Sequence, residues 1–160
     1  MNAEYKICEP KDLSNEDLKQ IHKIIIQNYN DINHKDNSDD EMYKEWLNVI
    51  LNTKNYYFLN CYYQNEIIAF IAFMYIDIGL MLSEVQIKKE YQGKYDILRK
   101  MLKQVIDKSD KKLYSDVYGT ISSKNIRSQT VFKHIGFENV KGILYKININ
   151  DLMNWINRSK

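Results

Sequence analysis

N-I-R-S-Q-T-V-F-K-H-I-G-F, residues 125–137, and V-Q-I-K-K-E-Y-Q-G-K, residues 85–94, decide how this chain is read. In the first, Asn125 and Ser128 stand one helical turn apart, the spacing of an N-cap side chain and the amide it receives. Gly136 falls where a left-handed residue ends a helix, and Phe137 follows it as an apolar anchor. The second stretch is a β-rich run that breaks at Gln92-Gly93. Beyond it, Ile97, Leu98, Met101, Leu102, Val105 and Ile106 recur at helical spacing. A strand that runs through a short loop into a helix leaves the first N–H groups of that helix facing the loop.

Outward from these anchors, the period of the apolar residues sorts the rest of the chain. There is one proline, Pro10, and five glycines, so each breaker marks a boundary. A short first strand over 5–8 stops at Pro10. Ser14 is a helix cap with acidic residues behind it, and Leu18, Ile21, Ile25 and Tyr29 follow on one face. The polar run 30–37 ends that helix, and a second capping box at Ser38 opens another carrying Met42, Trp46, Val49 and Ile50. Stretches 56–62 and 66–76 flank Gln64-Asn65 as a hairpin, and 80–87 is a further strand. After the helix from Ile97, strand character returns over 113–121, and the helix 125–135 comes next. A hairpin of 137–139 and 143–149 turns at Lys141-Gly142, and Asn150 caps a last short helix through Trp155 and Ile156. The order β-α-α-β-β-β-α-β-α-β-β predicts an α/β fold, one mixed sheet with helices on both faces.

At 160 residues the chain is expected to form one domain, 1–160, large enough to bury a core. A net charge of +2, with lysines interleaved among acids, gives no footprint for a nucleic acid. The first nine residues are polar and mixed in charge, unlike a secretory signal. The longest apolar run, 67–76, is about half of the ~20 residues that a bilayer span requires, so no membrane partner is expected. Cys8 and Cys61 show neither metal-ligand spacing nor a disulfide framework. Both are read as small hydrophobes, no metal is expected, and a reducing, cytoplasmic setting follows as the default.

The pair of motifs, in this order and at this separation, resembles the Gcn5-related N-acetyltransferase (GNAT) superfamily over nearly the whole chain. The resemblance implies a central sheet of about seven strands and acetyl-CoA as cofactor. It places the pantetheine arm along the fourth strand, at Val85, Gln86 and Ile87, with backbone hydrogen bonds like those of an added strand. It places the pyrophosphate on a loop of pattern Q/R-x-x-G-x-G/A, which here runs Gln92, Gly93, Lys94, Tyr95, Asp96, Ile97. A helix N-terminus suits an anion. Tyr95 and Ile97 stand where the family has glycine and glycine or alanine, Asp96 opposes a phosphate, and Lys94 favours one. Asn125, Ser128 and Phe132 complete the cofactor wall; read without the resemblance, the first two are an ordinary cap and first-turn residue.

Transfer to an amine needs a base, because an aliphatic amine of pKa ~10.4 is charged at neutral pH. The resemblance points to Glu84 on the fourth strand, which otherwise reads as a solvent-facing strand residue. His22, His34 and His134 have weaker claims. Many relatives place an acidic tyrosine where Phe132 stands, so Tyr118, or Tyr114, is expected to substitute. The implied function is acetyl transfer to a primary amine, with a small molecule as the expected acceptor. Asp36, Asp39, Asp40 and Glu41 form an acidic patch that also suits a helix N-terminus. A non-catalytic binding module of the same fold and a homodimer through the sheet edge stay open at this point.

Overall fold

The computed structural model describes residues 1–33, 40–94 and 96–158. Seven strands form one mixed sheet: β1 (Glu4–Cys8), β2 (Tyr56–Tyr63), β3 (Glu66–Ile76), β4 (Gly79–Ile87), β5 (Asp116–Thr120), β6 (Glu138–Lys141) and β7 (Leu144–Asn148). The helices are α1 (Asn15–Asn33), α2 (Asp40–Asn52), α3 (Ile97–Lys108), α4 (Ile126–Ile135) and α5 (Ile149–Asn157). The spatial order of strands is β1-β2-β3-β4-β5-β7-β6, and only the β4–β5 pair is parallel. The α/β architecture expected from the sequence is the one observed.

Period-2 alternation splits the apolar residues between two cores. Phe58, Phe70 and Ala72 join Leu18, Ile21 and Ile24 of α1 and Ile50 of α2. Leu59, Cys61, Ala69 and Ile71 join the stripe of α3, Phe132 and Ile135 of α4, and Leu152 and Ile156 of α5. Because β3 lies between both cores, its residues 67–73 are buried without interruption.

Several boundaries differ from the sequence reading. Helix α1 continues into the polar run, where the Asn33 amide donates to the Tyr29 carbonyl at 2.9 Å. The expected capping box at Ser38, with Asp36 and Asp39 of the acidic patch, lies outside the described residues. Strand β5 starts only at Asp116, because Leu113 is held in a turn by its N–H to Asp110 O at 3.0 Å. The cap of α5 is Asn148 rather than Asn150, accepting from the Asn150 amide at 2.8 Å, so β7 runs directly into the helix. Val49 faces solvent, 61% exposed.

Two features of β4 shape everything that follows. Ala72 pairs with Glu84 and Phe73 with Leu82, so Ser83 is an extra residue, a β-bulge. Without it Glu84 would share the face of Leu80 and Leu82, toward α3; with it Glu84 lies opposite Ala72, on the α1/α2 face. The parallel pairing of β4 with β5 covers only Leu80–Leu82 against Val117–Gly119. Beyond that point the strands part, while β4 runs on to Ile87.

Candidate active site

The parting leaves the last residues of β4 with an open edge. Lys88 donates its N–H to Ile68 O of the β3 side at 2.9 Å, which fixes the parity of the strand. The main chains of Gln86 and Lys88 turn toward β3, while those of Val85 and Ile87 turn toward the open edge. Gln86, expected at that edge with its two neighbours, is a correction: its main chain belongs to the β3 ladder, and its side chain serves Glu84 instead. The Ile87 carbonyl is also taken, accepting from Gln92 Nε2 at 2.9 Å and Asn28 Nδ2 at 3.1 Å.

Gly93 has a φ of 72°, and among the described residues a Cβ built there would come within 4 Å of the Arg127 guanidinium alone, at 3.9 Å. The left-handed backbone favours glycine, and the space among the described residues leaves room for a ligand. Tyr95, and with it the crowding expected at its Cβ, lies outside the described residues. Asp96, not a glycine, takes the left-handed conformation (φ 58°) at the N-cap of α3, with no side-chain capping bond. The amides of Gln92 and Lys94 are engaged in turn bonds to Lys89 O and Tyr91 O at 3.3 and 3.2 Å. The Ile97 amide makes a long turn bond to Lys94 O at 3.5 Å, and the first helical bond is Lys100 N–H to Asp96 O at 3.1 Å, so the first turn of α3 lies at the helix tip beside the loop.

The N-terminus of α4 is the second wall. Asn125 Oδ1 accepts from the Ser128 amide at 3.1 Å, so its side chain is a helix cap. Gln129 pins the β5–α4 loop by donating to Ser122 O and Ser123 O at 3.0 and 3.1 Å. Gly136 (φ 118°) ends the helix as expected, donating to Phe132 O at 3.2 Å. Phe132 packs edge-to-face on Phe137 at 4.8 Å, and its ring lies 3.7 Å from where a Gly119 Cβ would be. Since Gly119 is the last residue of β5 paired with β4, Phe132 stands at the point where the strands part.

Glu84 is half-buried, and burial pushes its carboxyl up, opposed in part by the Gln86 amide donating to it at 2.8 Å. A carboxylate with a raised pKa takes a proton more readily than an ordinary one, which suits a general base. Tyr118 shares the face of Glu84, opposite Met81, but its ring packs against Gly79, at the far end of β4. Glu84 and Tyr118 are thus not brought together. The tyrosine that feels Glu84 is Tyr56 on β2, whose hydroxyl is pushed up by burial and by that carboxylate. Tyr114, the other tyrosine considered, is engaged with the Ser109 hydroxyl. His22 packs on Tyr43 and Trp46 at 5.2 Å each, His134 is exposed, and His34 is outside the described residues.

The sequence reading missed Asn28 and Arg127. Asn28 Nδ2 donates to Gln86 Oε1 at 2.8 Å, and Arg127 donates from one guanidinium nitrogen to Gln92 Oε1 at 2.8 Å. The single signal that pointed toward Arg127 was its place inside the α4 motif; nothing in the sequence singles out Asn28. Among the described residues, no helix is long and apolar enough to cross a membrane.

The chain is matched over residues 11–155 by the family model for the acetyltransferase (GNAT) domain. None of the curated proteins matches the sequence. Among solved structures, an acetyltransferase from Thermus thermophilus superposes with a TM-score of 0.73 at 14% identity, covering 93% of this chain and 98% of that one. The PaiA N-acetyltransferase of Thermoplasma acidophilum, solved in complex with coenzyme A, gives 0.66 at 19% identity, with coverage of 91% and 98%. The ribosomal-protein-S18-alanine N-acetyltransferase of Escherichia coli gives 0.60 at 14%, with coverage of 91% and 94%. The chain belongs to the GNAT family. It is accordingly an N-acetyltransferase that uses acetyl-CoA. The features here suit that cofactor: a strand edge left open at Val85 while the Ile87 carbonyl is engaged by Gln92 and Asn28, a glycine with space beside it among the described residues, and a helix tip beside a cation.

Proposed function

We propose that this enzyme acetylates the primary amine of a small molecule by direct attack, with Glu84 as the general base. The observation that carries the proposal is the bulge at Ser83, which turns a half-buried, raised-pKa carboxylate onto the α1/α2 face beside the open edge of β4. Acetyl-CoA, when bound, supplies the activated acetyl group. Val85 and Ile87 would hold its arm, and Gly93, the α3 tip and Arg127 its phosphates. Glu84 would take a proton from the acceptor's ammonium, so that a neutral amine with a free lone pair meets the thioester carbon and the CoA sulfur can depart as a thiolate. Gln86 keeps the carboxylate aimed. Phe132 presents an apolar ring where the family pattern has a tyrosine hydroxyl, so it shields the site from water and holds no proton.

The test is mass spectrometry of a panel of amino sugars, amino acids, polyamines and N-terminal peptides incubated with acetyl-CoA and the protein. A single small amine gaining about 42 Da, an acetyl group in place of one hydrogen on nitrogen, supports the proposal. Acetylation confined to peptides would overturn the small-molecule part, and activity surviving Glu84→Gln would overturn the base.

A further inference from the structure

A continuous line of side chains joins the phosphate loop to Glu84. Arg127 donates to Gln92 Oε1 at 2.8 Å. Gln92 Nε2 donates to Ile87 O at 2.9 Å and, more weakly, to Asn28 Oδ1 at 3.5 Å. Asn28 Nδ2 donates to the same Ile87 O at 3.1 Å and to Gln86 Oε1 at 2.8 Å. Gln86 Nε2 donates to Glu84 at 2.8 Å. A guanidinium can only donate and a carboxylate can only accept. Every amide between them must then present its oxygen toward Arg127 and its nitrogen toward Glu84, and all three do.

From this we propose that Asn28 is a positioning residue that couples occupation of the phosphate loop to the setting of Glu84; the inference rests on Glu84 being the base. The other guanidinium nitrogen of Arg127 faces Gly93, so an anion over Gly93 meets Arg127 without displacing Gln92. Alone, Arg127 is an exposed side chain with many rotamers. Held by an anion, it fixes Gln92, which fills one lone pair of Ile87 O, while Asn28 fills the other and turns Gln86 toward Glu84. Beyond the exposed Arg127–Gln92 bond, the order is carried by part-buried bonds, where replacement by water is least favourable. Reciprocity requires that whatever loosens Glu84 through Asn28 also weakens the phosphate site by the same factor.

The probe is 3′-phospho-ADP, the phosphate-bearing half of coenzyme A, which lacks the arm needed to touch Glu84. It is titrated into full-length protein carrying ¹³C at glutamate carboxyls, with the Glu84 signal assigned by its absence in Glu84→Gln. In the wild type the Glu84 signal shifts as the probe saturates. In Asn28→Leu the probe still binds, about three- to tenfold more weakly as befits one or two lost hydrogen bonds, and the Glu84 signal no longer follows it. Asn28→Asp, isosteric but unable to donate, gives the same result if Asn28→Leu fails to fold. In a Gln92→Ala background, Asn28→Leu costs no further affinity. Binding with an unmoved Glu84 signal in the wild type, or an equal shift in the Asn28 variants, overturns the coupling alone. No binding to the wild type overturns the phosphate site as well, and with it the proposed function.

Discussion

Glu84 illustrates how burial makes a surface-type residue chemically useful. Its raised pKa means that the unfolded chain ionises before the folded one, so stability falls as pH rises through the window from the ordinary carboxyl value up to the folded value. Below that window the penalty is absent. Glu84→Gln, which keeps an oxygen for Gln86, should therefore raise Tm at neutral pH and lose that advantage below about pH 4, measured by thermal denaturation across pH. With an acceptor in hand, the same variant should lower kcat/KM by ~10²–10⁴-fold, most between the raised Glu84 value and the amine's, and leave CoA affinity intact. A loss under tenfold would return Glu84 to a strand residue. Asp96 is the opposite case. It occupies a left-handed N-cap without capping, its carboxylate 3.4 Å from Arg99 and at the mouth of the proposed phosphate site. Asn tolerates that backbone and carries no charge. Asp96→Asn is expected to tighten CoA binding about two- to fivefold by calorimetry, the size of one helix-terminus charge interaction.

At the scale of elements, Arg99 ties the last helix to α3 and the loop before it. Its guanidinium on α3 donates to the terminal carbonyls of α5, at Trp155, Ile156 (3.2 Å) and Arg158 (3.1 Å), and stacks 4.1 Å from the Trp155 ring. These are the orphan acceptors that any helix C-terminus leaves, here satisfied by a cation that suits the dipole. Arg99→Ala removes the clamp and should lower stability by about 2 kcal/mol, seen as a Tm drop of roughly 5 °C. An unchanged Tm would show α5 held by its apolar face alone, through Leu152 and Ile156. Strand β4 was legible as a strand, but its bulge was not foreseen, although the apolar phase shifts between Leu80-Leu82 and Val85-Ile87. Period counting over a single strand assumes constant parity, and a one-residue insertion breaks that assumption without altering composition.

At the scale of the whole molecule, the site exists because two strands pair for three residues and then separate. Phe132 sits at that apex. Phe132→Tyr adds a hydroxyl there, and steady-state turnover with the acceptor identified by mass spectrometry should rise or stay unchanged, since a thiol of pKa ~8.5 leaves without an acid. Abolished turnover would mean that the ring packs the acyl group and that the chemistry is misplaced. The chain by itself determined the element order, the caps at Asn125 and Gly136 and the loop at Gln92-Gly93, because those depend on spacing and local backbone preference. The family resemblance, rather than local pattern, directed attention to Glu84, Val85 and Ile87. Only the tertiary structure decided which face Glu84 occupies, that Gln86 turns to β3 in main chain and to Glu84 in side chain, that Tyr118 packs on Gly79, and that Asn28 joins Gln86 to Ile87. Each of these is set by the register between strands or by contact across 58 or more residues of sequence, which no local pattern encodes.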